Sequence, residues 1–239
     1  MIPALTAPFF EIGPKNLLRR AELEQLARVA GQASSTYDIA VVLTVPVAMV
    51  APIADLRTGI YVFAQDMQAE TMGSSVGRTI AESLFDAGAA GVMLNHDGNP
   101  LRDDELARAV HRAQEMNLQT IVCVGTEDAA LRYVELDPTA VLLEPPSLIG
   151  TADGGERGWI RSSNSAMRAV NAHVLRMHAG GVASPVIAHD IMAAGADGTG
   201  STSGVLTARD PLAAARFFIA AARAGWDKAQ SRAAALTDD

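Results

Sequence analysis

Eight apolar runs of strand length, each followed by a stretch of helical spacing, predict an α/β fold and, more narrowly, a closed parallel (β/α)8 barrel. Two further observations agree. The alternation recurs every roughly 20 to 35 residues along the whole chain, which favours a barrel over an open doubly wound sheet. The 239 residues show no linker and no shift of composition, and α/β barrels of about 250 residues are routinely one unit. The expectation is a single domain over 1–239, with the barrel over about 6–225 and a C-terminal tail at 226–239.

Strands are expected, in order, in PFFEI from residue 8, DIAVVLTV from 38, GIYVFAQ from 59, AGVMLN from 90, QTIVCVG from 119, TAVLLE from 139, HVLRMHA from 173 and ADGTGS from 196. Helices are expected between them in NLLRRAELEQLARVAG, PVAMVAPIADL, VGRTIAESLFDAG, DDELARAVHRAQEMN, EDAALRYVEL, SNSAMRAVNA, ASPVIAHDIMAAG and DPLAAARFFIAAARAG. Leu106, Val110, Ala113 and Met116 show the three and four spacing of a buried helical stripe. Gly88 and Gly195 mark helix ends, and Asp210-Pro211 opens the last helix with a capping acid and a proline in its first turn. The segment after Trp226 reads as a frayed helix or an interface arm.

Apolar residues make up 49% of the chain and aromatics 5%, so the core is built of aliphatic side chains. The formal net charge of -8 argues against nucleic acid or an anionic membrane as a partner, and any anionic ligand must be held by local groups. Cys123, the single cysteine, sits in the apolar run TIVCVG and reads as a buried, inert thiol in a reducing compartment. The start of the chain lacks the basic and long apolar stretches of a signal peptide, and no segment has about 18 uninterrupted apolar residues. A cytoplasmic, soluble protein is expected. No His/Cys cluster has the spacing of a metal site.

In a parallel barrel the chemistry lies where strands end and loops toward helices begin. Those ends are Glu11 to Lys15, Gln65 and Asp66, Asn95 to Asp97, Glu144, Ala179 to Val182, and Gly200 to Gly204. Taken alone, a strand-end acid such as Glu144 is readily an ion-pair partner, a half-buried histidine a packing residue, and a Gly/Ser-rich loop a flexible connection. Glu144, however, is followed by Pro145-Pro146, which stiffen a hinge, and by the apolar segment Ser147 to Thr151. His96 differs from His111, His173, His178 and His189 in ending an apolar strand.

Glu144-Pro145-Pro146-Ser147-Leu148-Ile149-Gly150-Thr151 resembles the base-plus-lid segment of the triosephosphate isomerase family. Leu94-Asn95-His96 resembles the end of that family's fourth strand, and Ala64-Gln65 and Val41 to Pro46 also fit, over about Phe9 to Gly225. The resemblance implies a TIM barrel that isomerises a small phosphorylated ketose without metal or organic cofactor, and that forms a homodimer or homotetramer. It implies Glu144 as base, His96 as a neutral electrophile and Lys15 as an electrostatic clamp on substrate oxygens. For the phosphate it points to Gly150 of the lid, Gly180 and Gly181 after strand seven, and Gly200, Ser201 and Thr202 after strand eight.

Two positions depart from the pattern. Gly13 stands where the family usually has an asparagine, and Gly98 where it usually has a glutamate. Smaller residues there would leave room for a larger ligand, and a subfamily with the same EIGPK start interconverts L-erythrulose 1-phosphate and D-erythrulose 4-phosphate. Substrates of triose or tetrulose phosphate type are therefore both expected. The competing expectations are a barrel that binds a sugar phosphate with little or no turnover, and a barrel of another activity that shares only the phosphate site.

Overall fold

The computed structural model describes residues 3–148 and 157–237, with side chains to 235. Its eight strands are β1 (Phe9–Ile12), β2 (Ala40–Val45), β3 (Tyr61–Ala64), β4 (Gly91–Leu94), β5 (Gln119–Val124), β6 (Ala140–Leu143), β7 (Leu175–His178) and β8 (Gly198–Gly200). Each pairs in parallel with the next, and β8 pairs with β1, so the barrel is closed. All eight fall inside the stretches expected from the sequence.

The helices among the described residues are α1 (Arg20–Tyr37), α2 (Val50–Ala54), α3 (Ala81–Asp86), α4 (Asp103–Glu115), α5 (Glu127–Val134), α6 (Trp159–Val170), α7 (Pro185–Ala193), α8 (Ser203–Leu206) and α9 (Pro211–Thr237). Local chemistry sets several of their ends. Thr126 Oγ1 accepts from the Ala129 amide at 3.2 Å to start α5, and Asp210 Oδ1 accepts from Ala213 at 2.9 Å to start α9. Gly88 and Gly195, at φ 82° and 97°, follow the ends of α3 and α7.

Two helices run past a glycine that reads as a stop. A side chain at Gly31 would overlap the Thr58 carbonyl, and one at Gly225 would overlap the His189 carbonyl. Both are points where another backbone closes on a helix, so α1 continues to Tyr37 and α9 continues through the expected tail to Thr237. The short helix α8, directly after β8, was read from sequence only as a glycine-rich loop.

The strand register decides which side chains fill the barrel. Phe9 is paired with Gly198, where a side chain would overlap the Phe9 ring; Phe10 instead turns outward, its ring 6.1 Å from that of Phe218 on α9. With Phe9 inside, the alternation of the strand puts Glu11 inside as well. Pairing carries the same face around to Val42 and Thr44, Cys123, Leu142 and Gly200. The interior is thus aliphatic and aromatic low down and becomes ionisable only near the carboxyl ends.

Because Gly198 makes way for a large ring, Gly198→Ala should overpack the barrel and lower stability by about 1 to 3 kcal/mol. Chemical denaturation checks this, and pairing the change with Phe9→Leu should recover part of the loss. An unchanged midpoint would show that the ring is free to move.

Candidate active site

Lys15 leaves β1 through Gly13 and Pro14 and holds φ at +50°, a left-handed conformation that costs a lysine about 1 kcal/mol or more. Its carbonyl accepts from Gln65 Nε2 at 2.9 Å, and the Gly13 carbonyl accepts from Thr202 Oγ1 at 2.8 Å. Loops after β3 and β8 therefore clamp the turn that carries the ammonium.

His96 follows Asn95, which is also left-handed at φ 60° and is pinned by Asn95 Nδ2 to the Cys123 carbonyl and by the Leu101 amide to Asn95 Oδ1, both at 2.9 Å. The Gly98 amide donates to His96 Nδ1 at 2.9 Å. Since Nδ1 accepts, the proton of the neutral ring is on Nε2, free to donate elsewhere. Burial, helped by the charge of Lys15, pushes the imidazole below its ordinary range, against a weaker opposing pull from Asp97. The ring is set up as a neutral donor.

Glu144 ends β6, its amide bonded to the Val124 carbonyl at 2.9 Å, and the chain then makes a 3-10 turn at Pro146–Leu148. Gly180 packs against it: a side chain at 180 would lie 3.2 Å from Glu144 Cγ and 2.9 Å from Leu148 Cβ. Burial raises the carboxyl above its ordinary range, Lys15 and Arg157 pull it back, and Asp97 adds to the rise. The charge of Lys15 acts on Glu144, His96, Glu11 and Cys123 alike, so these groups share one region at the mouth of the barrel.

Of the expected phosphate-holding residues, Gly150 lies outside the described residues, as does the lid from Ile149 to Thr151. Gly180 and Gly181 form a left-handed pair at φ 88° and 61° directly after β7. Gly200 ends β8, and a side chain there would come within 2.8 Å of Glu11 Oε2. Ser201 is occupied in holding the loops together: its amide donates to the Glu11 carbonyl at 3.1 Å and its hydroxyl to the Val182 carbonyl at 2.7 Å. The Thr202 hydroxyl is likewise committed to Gly13.

Two residues of this region were not assigned roles from sequence. Arg157 donates through Nη1 to the Ala179 carbonyl at 3.2 Å and through Nη2 to the Gly180 carbonyl at 2.5 Å, fixing the turn after β7 while its charge faces Glu144. Glu11 is 6% exposed and, among the described residues, its Oε1 has no well-formed hydrogen bond. Burial pushes its carboxyl up to about 7, with Glu144 adding to the rise and the Thr44 hydroxyl and Lys15 opposing it. Glu11 was visible as an acid inside an apolar strand, but its partners come from distant parts of the chain.

Other buried ionisable groups take part in pairing and packing. His178 faces outward, bonded through Nε2 to Asn164 Oδ1 at 2.6 Å, and burial with nearby Arg176 and Arg157 holds it down to about 3. Arg176 pairs with Asp197 in a buried ion pair. Cys123 is buried and its thiol is pushed well up, so it stays protonated. A cavity of about 420 Å³ lined by Asp66, Arg78, Asn99, Leu101, Glu105 and Arg108 lies between the loop after β3 and α4, and none of Lys15, His96 and Glu144 lines it. Among the described residues no helix is long and apolar enough to cross a membrane.

A closed parallel barrel with a carboxylate, an imidazole and an ammonium gathered at its carboxyl-end mouth defines the class. Within it, the chain belongs to the triosephosphate isomerase family, whose model matches residues 15–219. Triosephosphate isomerase of Sulfolobus acidocaldarius is 29% identical over 197 residues, covering 82% of this chain and 85% of that protein. The enzyme of the same name from Metallosphaera sedula is 30% identical over 190 residues, covering 78% and 82%. The crystal structure of triosephosphate isomerase from Bartonella henselae superposes with a TM-score of 0.71 at 18% identity, over 89% of this chain and 99% of that one, and this likeness speaks to the fold.

The burial of Glu11 has a measurable consequence. Its folded value of about 7 lies above the unfolded 4.5, so below pH 4.5 both states are protonated and nothing is lost. As pH rises from 4.5 through 7 the unfolded chain ionises first and stability falls, by about 3 kcal/mol in all. Glu11→Gln should therefore stabilise the protein by a few kcal/mol at pH 8 and hardly at pH 4, as read from denaturant unfolding at the two pH values. An equal effect at both would show that the carboxyl is not held neutral.

Proposed function

We propose that this chain is an intramolecular isomerase that moves the carbonyl of a small phosphorylated ketose by one carbon through an enediol, with Glu144 as the base, His96 as the electrophile and Lys15 as the clamp. The observation that carries this reading is the pairing of a desolvated Glu144 with a neutral His96 whose tautomer is set by Gly98, both under the charge of Lys15. A glutamate base with a neutral histidine is the pairing known from triosephosphate isomerase itself, and family membership supports carrying it over.

The chemistry follows from the groups. A carboxylate freed from water is a better base toward a carbon acid, and Glu144 takes the proton from the carbon beside the carbonyl. His96 donates from Nε2 to the carbonyl oxygen as charge grows on it; a neutral imidazole can give and regain a proton more evenly than an imidazolium. Lys15 offsets the charge on that oxygen and on the phosphate ester. Returning the proton from Glu144 to the neighbouring carbon completes the shift. The left-handed turn at Gly180 and Gly181, held by Arg157, and the loop at Gly200 to Thr202 with α8 behind it are the places for the phosphate. Gly150 is the further phosphate donor that the family resemblance implies.

The two departures from the family pattern act differently on the choice of substrate. The room left at Gly13 is filled from within, because the Glu11 carboxyl stands where a side chain would begin, at 2.9 Å. Beside Gly98, among the described residues other than its chain neighbours, the His96 ring alone comes within 4 Å of where a side chain would begin, the nearest atom at 3.4 Å. The small residue at 98 is what favours a tetrulose phosphate, which carries an extra hydroxymethyl group relative to dihydroxyacetone phosphate, as substrate beside a triose phosphate.

Isomerisation of each compound in deuterated water decides the matter. Turnover with deuterium entering the product supports the reading; binding of both phosphates with no exchange would leave only a sugar-phosphate-binding barrel. Glu144→Asp, which withdraws the carboxylate by one methylene, should lower kcat by about 100-fold or more with little change in KM. Near-normal turnover in that variant would remove Glu144 as the base.

A further inference from the structure

The mechanism above leaves one buried acid of the site unused. Glu11 points into the barrel from β1, within electrostatic reach of Cys123 and Glu144 and directly beneath Gly13. Its Oε1 lies 2.9 Å from the position a Gly13 side chain would occupy, and its Oε2 lies 2.8 Å from the position a Gly200 side chain would occupy. Two glycines from different strands thus make room for this one carboxyl. Among the described residues Oε1 is shut off from solvent and has no well-formed hydrogen bond, with only the Thr44 hydroxyl near enough to draw on the carboxyl. Buried polar atoms of this kind are rare and call for a partner that arrives later. A side chain that destabilises the fold at neutral pH and is nevertheless given space by two glycines fits a site residue better than a packing residue.

We propose that Glu11 is a further ligand-contacting residue of this site: a carboxylic acid seated beneath Gly13 whose O–H donates a hydrogen bond to an oxygen of the ligand's carbonyl and hydroxyl pair, beside Lys15. The inference rests on the isomerase reading of the site. Glu11 keeps its proton throughout, and the proton that moves between carbons travels only on Glu144. The groups that face Glu11 agree with this division. Lys15 from the loop after β1 favours its ionised form, while Glu144 at the end of β6 opposes it. Cys123 on β5 is a neutral thiol, Thr44 on β2 is an uncharged hydroxyl, and Gly200 on β8 has no side chain. The charge of Glu144 helps to hold the proton on Glu11. Two carboxyls whose surroundings push them apart, one charged and one neutral, make a base and a donor.

The sign of the pH dependence follows. Activity needs Glu144 ionised and Glu11 protonated, so kcat/KM rises as Glu144 loses its proton and falls as pH passes upward through about 7, the two limbs belonging to the coupled pair. The test compares wild type, Glu11→Gln and Glu11→Leu by deuterium incorporation across pH. It adds calorimetry with 2-phosphoglycolate, an anion with a phosphate and a planar carboxylate, in buffers of different ionisation enthalpy. Glutamine keeps a donor that does not titrate, so its alkaline limb should vanish, with a plateau lowered by up to about tenfold. Leucine removes the donor and should lower kcat/KM about 100-fold or more at pH 6. Wild type should take up part of a proton on binding the anion at pH 7.5, and Glu11→Gln less. The inference is overturned if Glu11→Gln keeps the wild-type alkaline limb, if Glu11→Leu turns over like wild type, or if proton uptake is the same in both. Those results leave the isomerase reading standing, whereas a wild type that neither exchanges deuterium nor binds the anion overturns both.

Discussion

The constraint on which the rest depends is desolvation at the mouth of a closed barrel. Closing the sheet through β8 and β1 removes its edges and packs the interior with Phe9, Val42, Leu142 and their neighbours, so that no water supports a charge from below. The ionisable groups above that floor therefore set one another's charge states. Glu144 and Glu11 are pushed up, His96 is pushed down, and Lys15 is the charge that all three feel. An ordinary set of side chains becomes a base, a donor and a clamp because of where the strands end.

The loops supply geometry more than charge. Left-handed turns at Lys15 and Asn95 aim the ammonium and the imidazole, the first held by Gln65 of a neighbouring loop and the second by its own Asn95 side chain, bonded to the Cys123 carbonyl. Ser201, Thr202 and Arg157 cross-link the connections after β1, β6, β7 and β8 through backbone carbonyls. The Ser201 and Thr202 hydroxyls thus act as struts. Glycine defines the free space: Gly180 lets Glu144 approach the turn after β7, and Gly13 and Gly200 let Glu11 rise into the site.

Most of the fold was legible in the sequence. Apolar runs such as AVVLTV and QTIVCV are short, β-branched and bounded by turn residues, and each became a strand. Helix ends were less legible, because glycine serves two purposes that a sequence does not separate. Gly88 and Gly195 end helices by adopting positive φ, whereas Gly31 and Gly225 lie inside helices where a second backbone comes close. The distinction depends on Thr58 and His189, which are distant in the chain. The site shows the same divide. Glu144, His96 and Lys15 carry local patterns at strand ends, so they could be singled out in advance. Glu11 could not, since its neighbours Thr44, Cys123, Glu144 and Gly200 are brought together only by closure of the barrel. For the same reason the glycine at 13 looked like empty space and proved to be filled.

The central claim is that one desolvated pocket drives Glu144, Glu11 and His96 to different charge states around a shared ammonium. Its most direct test is a titration of the protein by nuclear magnetic resonance, with carbon-13 in glutamate carboxyls and nitrogen-15 in imidazoles, assigned with single-site variants. The account predicts that Glu144 ionises before Glu11, that Glu11 titrates near pH 7, and that His96 is neutral with its proton on Nε2 across that range. Two carboxyls titrating together in the ordinary range near 4.5, or a His96 that is charged at pH 7, would contradict it.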